Sequence, residues 1–306
     1  MNEVIKFADL TKDYGFGRGV FKENLVINQG EMLGFVGTNG SGKTTSIRCL
    51  MGFIKPTDGC VYVNGLESYH NASLIAKSIG YVPGEIAFPD LPTGNDFLKS
   101  QAEFLGLKDM SYANELVSKL QLDPRANLKR MSKGMKQKTA IVAALMANPP
   151  IIILDEPTTG LDPLMRQAFV DIIKAEHQKG KTIMMSSHMF EEVEDTCDRV
   201  ALISDGYLID SVYMKDIINR PLQDFKIEFQ ETEDYLRFQN PGFKIIRKQD
   251  QYNQVTVELE RKEINKLFSA LASYHLRFIS EVPYTLNKHF QEVLKEKKQN
   301  VQQSLI

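Results

Sequence analysis

The chain has 306 residues, of which 42% are hydrophobic and 25% charged, and its formal net charge is -2. This length allows at least one full hydrophobic core and up to three domains, and the balanced charge excludes a general attraction to nucleic acid or anionic lipid. The three cysteines are too widely spaced to indicate a disulfide framework or a zinc cluster, and they suit a reducing cytosol.

The chain shows no sign of entering a membrane by itself. Its amino terminus lacks the basic and apolar regions of a signal peptide. No apolar run approaches the roughly 20 residues that cross a bilayer. We therefore expect that any role at a membrane depends on a partner protein.

The first 215 residues are predicted to alternate between strands and helices. Strands are expected at 4–7, 25–27, 32–36, 61–63, 151–155 and 182–188, and helices at 43–51, 96–105, 111–120, 132–147, 163–178 and 189–196. The alternation is typical of an α/β core with a largely parallel sheet. The helical stretch from about 93 to 147 interrupts the alternation, so we interpret it as an inserted helical subdomain.

The pattern changes after about residue 215, and we predict a separate accessory domain at 216–306. Strands are expected at 225–229, 243–246, 254–259 and 276–279, with helices near 232–239, 262–274 and 285–297. The order strand, helix, strand, strand, helix, strand is typical of a small ferredoxin-like α+β domain. The last helix has an amphipathic pattern, which leaves open whether it packs on its own domain or on a neighbour.

A glycine-rich loop lies between the third strand and the first helix. Its sequence, GTNGSGKTT, fits the phosphate-loop pattern in the strand-loop-helix context which that pattern requires. The loop consists of Gly37, Thr38, Asn39, Gly40, Ser41, Gly42, Lys43, Thr44 and Thr45. Backbone N–H groups of such a loop converge on phosphate oxygens. Lys43 is predicted to contact the β- and γ-phosphates, and the Thr44 hydroxyl to ligate Mg²⁺.

Two acids end the buried strand of the sequence IIILDEP. Asp155 is predicted to hold Mg²⁺ directly or through water. Glu156 is placed to polarise a water molecule for attack on the γ-phosphate. A pair of solvated acids at a strand end is the alternative, which the preceding phosphate loop makes less attractive.

The phosphate loop and the IIILDEP strand occur together with three further segments, MSKGMKQK, TTGLD and SSH. In the order and spacing of these segments, residues 1 to about 215 resemble the ATP-binding subunits of ABC transporters. The resemblance implies ATP and Mg²⁺ as ligands and assigns His188 to the γ-phosphate and the attacking water. It also implies that Tyr14 stacks on adenine and that the segment TTGLD, at 158–162, is the D-loop, to which Asp162 belongs. The signature segment is assigned to Ser132, Lys133, Gly134 and Met135.

The resemblance further implies a head-to-tail dimer, in which ATP is held between the phosphate loop of one subunit and the signature segment of the other. The other subunit is a second copy or a related ATPase, and both act with an integral-membrane subunit at the cytoplasmic face of the membrane. From the residues alone, Ser132 is predicted to cap the helix that follows it. The C-terminal extension resembles that of bacterial drug, peptide and lipid exporters. No nucleic-acid partner is expected.

The chain departs from the family pattern at two places. Met131, Lys133 and Met135 replace a leucine, a glycine and a glutamine of the usual signature, while Ser132 and Gly134 are retained. Because the retained residues are those that the phosphate contact needs, we expect a working signature. Gly84 stands where the family has a glutamine that touches Mg²⁺, and we predict that the neighbouring Glu85 does its work. Residues 88–97 are expected near the contact with the membrane subunit.

Two alternatives to a transport ATPase remain at this point. One is a soluble ABC ATPase that acts on ribosomes or DNA, although paired ATPase units, long coiled coils and basic patches are all missing from the sequence. The other is a regulatory subunit with weak hydrolysis, which the altered signature and the missing glutamine would suit.

Overall fold

The computed structural model describes residues 2–238 and 242–303. The chain divides into two compact units, Met1–Tyr213 and Met214–Ile306. Within the described ranges, no helix combines the length and the apolar character needed to cross a bilayer. All three cysteines are free thiols, and Cys49 and Cys197 are buried.

The first unit contains two sheets. Its strands are β1 (Glu3–Asp13), β2 (Gly19–Asn28), β3 (Met32–Val36), β4 (Asp58–Val63), β5 (Leu66–Glu67), β6 (Ile79–Val82), β7 (Ile151–Asp155), β8 (Thr182–Ser187), β9 (Arg199–Ser204) and β10 (Tyr207–Tyr213). Four of them form an antiparallel sheet in the order β2-β1-β4-β5. The prediction of short strands was wrong for β1 and β2, because their polar outward residues alternate with buried ones well beyond the purely apolar segments.

The other six strands form the sheet that carries the chemistry, in the order β10-β9-β3-β8-β7-β6. Every pair is parallel except the β9–β10 hairpin. Strands β3, β7 and β8 are buried at every residue, which explains their continuous apolar sequences. Because parallel strands end at the same edge, the segments that follow β3, β7 and β8 meet there.

Helices cover the parallel sheet and form the helical segment between β6 and β7. They are α1 (Lys43–Leu50), α2 (Ala72–Ile75), α3 (Gly94–Phe104), α4 (Ser111–Lys119), α5 (Lys133–Leu145), α6 (Pro163–Gln178) and α7 (Phe190–Glu194). Helix α3 begins with a capping box, in which Thr93 and Asp96 each accept the other's backbone N–H. Helices α3 and α4 both pack on α5.

The second unit is a four-stranded antiparallel sheet with helices in the connections. Its elements are α8 (Met214–Ile218), β11 (Leu222–Phe229), α9 (Thr232–Phe238), β12 (Lys244–Gln249), β13 (Gln254–Glu260), α10 (Ile264–Leu271), β14 (Leu276–Val282) and α11 (Leu286–Gln303). The strand order β12-β13-β11-β14 is the ferredoxin-like arrangement, which confirms that part of the predicted fold. Its core includes Phe225, Ile227 and Phe229 of β11 together with Tyr235 and Phe238 of α9.

Candidate nucleotide site

The glycine-rich loop connects β3 to α1 and borders a cleft of about 490 Å³. Gly42 caps α1 with φ +114°. A Cβ there would lie 2.5 Å from Val20 Cγ1, so both the conformation and the space require glycine. The residues that line the cleft are Asn39, Gly40, Ser41, Gly42, Lys43, Thr44, Thr45, Gly84, Glu85, Lys133, Glu156, Thr159 and His188. The amino end of α1 thus opens into a cleft suited to an anion.

The Lys43 side chain is held inside the loop, where it is 6% exposed. Its Nζ donates to the carbonyl oxygens of Gly37 at 2.8 Å and Thr38 at 3.2 Å. The same Nζ lies 3.4 Å from Glu156 Oε1. The positive charge of this buried ammonium can therefore attract an anionic ligand in the cleft.

Asp155 is completely buried at the end of β7. Its Oδ1 accepts a hydrogen bond from Ser186 Oγ at 2.6 Å, because the β7–β8 register sets the two residues side by side. Its Oδ2 has no hydrogen-bond partner among residues 2–238 and 242–303. Burial raises the pKa of Tyr81 to about 12, and the charge of Asp155 adds to that shift. One oxygen of a buried carboxylate is therefore left for a ligand.

Glu156 has a left-handed backbone, with φ +52°. This conformation costs an ordinary residue on the order of 1 kcal/mol and is found preferentially at functional sites. It is held by a hydrogen bond from the Glu156 backbone N–H to Ser186 Oγ at 3.0 Å. The Ser186 hydroxyl thus orients both neighbouring acids, a role that the local sequence pattern does not predict.

His188 follows β8 and meets Glu156 across the cleft. The distance between His188 Nδ1 and Glu156 Oε2 is 2.5 Å, while the other carboxylate oxygen of Glu156 faces Lys43. The His188 side chain is 43% exposed and that of Glu156 is 20% exposed. A carboxylate held between two cationic or hydrogen-bonding groups, and still open to solvent, can orient and deprotonate a water molecule.

The signature segment packs against the D-loop of its own chain. Ser132 Oγ accepts the Met135 backbone N–H at 3.2 Å and so caps α5 as predicted. A Cβ on Gly134 would lie 2.6 Å from the Gly160 carbonyl oxygen, so only glycine fits. The Lys133 stem also packs on Gly160, since Lys133 Cγ is 2.9 Å from where a Gly160 Cβ would be.

Several residues named from the sequence, among them Tyr14, Asp155 and Asp162, do not line the cleft, whereas Gly84 and Glu85 do. Asp162 caps α6 by accepting the Met165 backbone N–H at 3.0 Å. Tyr14 is half exposed, and Lys12 Nζ lies 5.5 Å from the centroid of its ring. At the position of the missing glutamine, a Cβ on Gly84 would lie 3.1 Å from Asp155 Oδ2. Glu85 is exposed and lines the cleft.

Sequence comparisons identify a protein family and individual proteins to which this chain is similar. Residues 21–159 match the family model described as ABC transporter. The bacitracin transport ATP-binding protein BcrA of Bacillus licheniformis is 36% identical over 69% of this chain and 70% of its own length. The linearmycin resistance ATP-binding protein LnrL of Bacillus subtilis is 30% identical over 90% of this chain and 93% of its own.

A solved structure shares the fold of the first unit. It is a dimeric ATP-binding cassette in a post-hydrolysis state with bound ADP and Pi, similar to this chain with a TM-score of 0.62 and 26% identity. The match covers 69% of this chain and 98% of that one. Together with the phosphate loop, the two acids and the histidine, these similarities show that the chain belongs to the ABC transporter family, as an ATP-binding ATPase subunit.

Proposed function

We propose that the chain hydrolyses ATP in a head-to-tail dimer and drives export by a separate integral-membrane subunit. The observation that carries the proposal is the placement of Glu156 between Lys43 and His188 at the mouth of the phosphate loop. In this proposal Glu156 is the general base and His188 orients the attacking water and the γ-phosphate. The loop N–H groups and Lys43 bind the phosphates.

The remaining predicted residues complete the site from both subunits. Ser132, Gly134 and the amino end of α5 bind the γ-phosphate of ATP held by the other subunit, which is a second copy or a related ATPase. The cap geometry of Ser132 supports this role, because accepting the Met135 N–H leaves the hydroxyl hydrogen for donation. Tyr14 stacks on adenine, and Asp162 contributes to the D-loop contact between subunits.

The residues at the cleft suit Mg²⁺. Mg²⁺ takes one or two carboxylates and fills its other positions with substrate phosphates and water. Asp155 offers a buried oxygen without a partner within the described chain, 3.1 Å from where a Cβ on the cleft residue Gly84 would lie. Thr44 also lines the cleft. We propose these two residues as the ligands, with Glu85 at the edge of the site. When bound, the ion neutralises charge that develops on the transferred phosphoryl group.

The role of Glu85 can be tested through the dependence of hydrolysis on Mg²⁺. Glu85→Ala should raise the Mg²⁺ concentration for half-maximal ATP hydrolysis about tenfold, as the loss of an outer metal contact does. Titration of Mg²⁺ at fixed ATP measures this, and Glu103→Ala is the control because Glu103 is exposed and outside the cleft. An unchanged Mg²⁺ titration would reduce Glu85 to a turn residue.

An apolar groove in the first unit fits the membrane partner. It has a volume of about 380 Å³ between β6, the 83–88 segment, α3 and the end of α5. The Phe88 and Phe97 rings pack edge to face there, with centroids 4.7 Å apart. Phe104 and Phe53 also line it, and they are 86% and 56% exposed. Such a groove suits the apolar face of a helix from the membrane subunit.

A charge in this groove should break the complex. We expect Phe104→Asp to weaken recovery of the co-expressed membrane subunit at least about tenfold, because aromatic residues carry much of the binding energy of interfaces. Hydrolysis by the ATPase alone should stay unchanged, since Phe104 is exposed. Leu236→Asp, at an exposed leucine of the second unit, is the matched control. Equal recovery with both variants would contradict this docking site.

The proposal also includes the cargo class and the location. The names of the relatives, bacitracin transport and linearmycin resistance, support export of an antibiotic-like compound, which the membrane subunit would recognise. The ATPase would then lie at the cytoplasmic face of the membrane. Purification of the full-length chain with its native partners tests this: an integral-membrane protein supports transport, whereas RNA or DNA in the complex would overturn it. A negligible ATPase rate in the assembled complex would favour a regulatory subunit.

A further inference from the structure

Glu192, on α7, is a buried acid that the proposed chemistry does not use. It is 8% exposed, and each of its carboxylate oxygens accepts a hydrogen bond from a different segment. Thr158 Oγ1 donates to Oε1 at 2.7 Å, and Ser187 Oγ donates to Oε2 at 2.9 Å. One carboxylate therefore ties together two segments that are distant in sequence.

Both of these segments adjoin residues of the nucleotide site. Thr158 lies two residues after Glu156 and at the start of the loop that leads to Asp162. Ser187 directly precedes His188, and its Oγ also accepts the Met189 backbone N–H at 2.9 Å. The backbone on both sides of His188 is thus anchored through Ser187 to the carboxylate of Glu192.

The hydrogen bonds from Thr158 and Ser187 to the buried carboxylate of Glu192 fix the orientation of both hydroxyls. An ionised carboxylate can only accept hydrogen bonds, so both hydroxyls must donate to it and their orientations are fixed. Hydrogen bonds to an ionised group are stronger than neutral ones, and loss of a buried one is costly. Arg166 Nε lies 3.4 Å from Glu192 Oε1 and adds a cationic neighbour to this cluster.

His188 needs such an anchor because its own side chain is open to solvent, with 43% exposure. Packing alone does not fix an imidazole of that exposure, although it must stay within hydrogen-bond distance of Glu156. A shift of the 158–162 loop would be transmitted through Glu192 to Ser187 and on to His188.

We propose that Glu192 is a positioning residue, which links the position of the His188 side chain to the position of the D-loop. The proposal rests on the proposed roles of Glu156 and His188. Glu192 contacts neither nucleotide phosphate nor the attacking water in this proposal. It acts by holding the histidine where Glu156 can use it.

The test uses the full-length chain in complex with its membrane subunit. Glu192→Gln should lower kcat about tenfold and change KM for ATP less than about twofold, because ground-state binding is retained. In a His188→Ala background the same change should have almost no further effect on kcat. A merely structural role would instead lower kcat by the same factor in both backgrounds. Glu191→Gln, at the exposed neighbour on the same helix, is the control.

A second variant shows whether a fall in kcat with Glu192→Gln comes from loss of this link or from misfolding. Ser187→Ala removes the same link from its other end with a smaller change of volume, and it should reproduce the fall in kcat and its dependence on His188. Wild-type kcat in both variants, or equal losses with and without His188, would overturn the role of Glu192. The proposed function fails separately, if the wild-type complex itself does not hydrolyse ATP.

Discussion

Replacement of Glu156 by glutamine should lower steady-state ATP turnover by about 10² to 10⁴, the usual contribution of a positioned general base. The amide keeps the shape of the side chain but cannot take a proton from water. ATP should still bind, because the change removes the carboxylate that faces Lys43 Nζ at 3.4 Å and leaves the ammonium free for phosphate. Phosphate release and equilibrium nucleotide binding, measured on the same preparation, check both expectations.

The control for this variant is Glu191→Gln, because Glu191 is exposed and lies three residues after His188. It should hydrolyse ATP at the wild-type rate. Retained binding with unreduced hydrolysis in Glu156→Gln would remove Glu156 from the role of base. Loss of ATP binding together with hydrolysis would show instead that Glu156 supports the shape of the cleft.

The parts of the site that could be predicted from the sequence are those with a local cause. The phosphate loop needs only a strand, a glycine turn and a helix in succession, and all three lie within 32–50. Asp155 and Glu156 are likewise adjacent and end a strand that is buried at every position. The cap of α5 by Ser132 depends on residues three apart. Such features are visible in one short window of sequence.

The missed features depend on contacts between distant segments. Ser186 orients Asp155 and Glu156 only because the register of β7 on β8 pairs positions 31 residues apart. Glu192 reaches Thr158 across 34 residues. The hairpin of β9 and β10 was not predicted either, since β10 is only partly buried and lacks a clear alternation. These residues owe their roles to strand register and burial, and neither can be determined from a short window of sequence.

Glu23 is the missed residue with the largest expected effect on stability. It occupies an inward position of β2, between the buried residues Val20 and Leu25, and is 1% exposed. Neither carboxylate oxygen has a hydrogen-bond partner at normal distance and angle in the described parts of the chain. Burial raises the pKa of Glu23 from 4.5 to about 8, and the nearby Ser46 hydroxyl offsets only part of that shift.

The direction of the pH effect follows from this pKa. Between pH 4.5 and about 8 the folded chain holds a proton on Glu23 that the unfolded chain has lost. The free energy of unfolding therefore falls as the pH rises through this window, by up to about 1.4 kcal/mol per pH unit from this group. Below pH 4.5 both states are protonated, so burial of the acid then carries no ionisation cost.

Glu23→Gln should therefore stabilise the protein at alkaline pH and have little effect in acid. The amide keeps the size and polarity of the protonated acid but cannot ionise. At pH 8 we expect the melting temperature to rise by at least about 5 °C, given that 1 kcal/mol corresponds to about 2–4 °C for a unit of this size. At pH 5 the difference should fall to about 2–3 °C, because only a fraction of a pH unit separates that pH from the unfolded pKa. Thermal melts of the full-length chain at both pH values measure the change.

The matched control is Glu103→Gln, which removes the same negative charge from an exposed position on α3. It accounts for the change in net charge, and its melting temperature should follow the wild type at both pH values. An equal shift of the Glu23 variant at pH 5 and pH 8 would show that packing, not ionisation, limits stability at this position. No shift at pH 8 would mean that the folded chain accommodates the charged carboxylate without cost. The contrast between the two pH values therefore isolates the proton on Glu23 from the other consequences of the substitution.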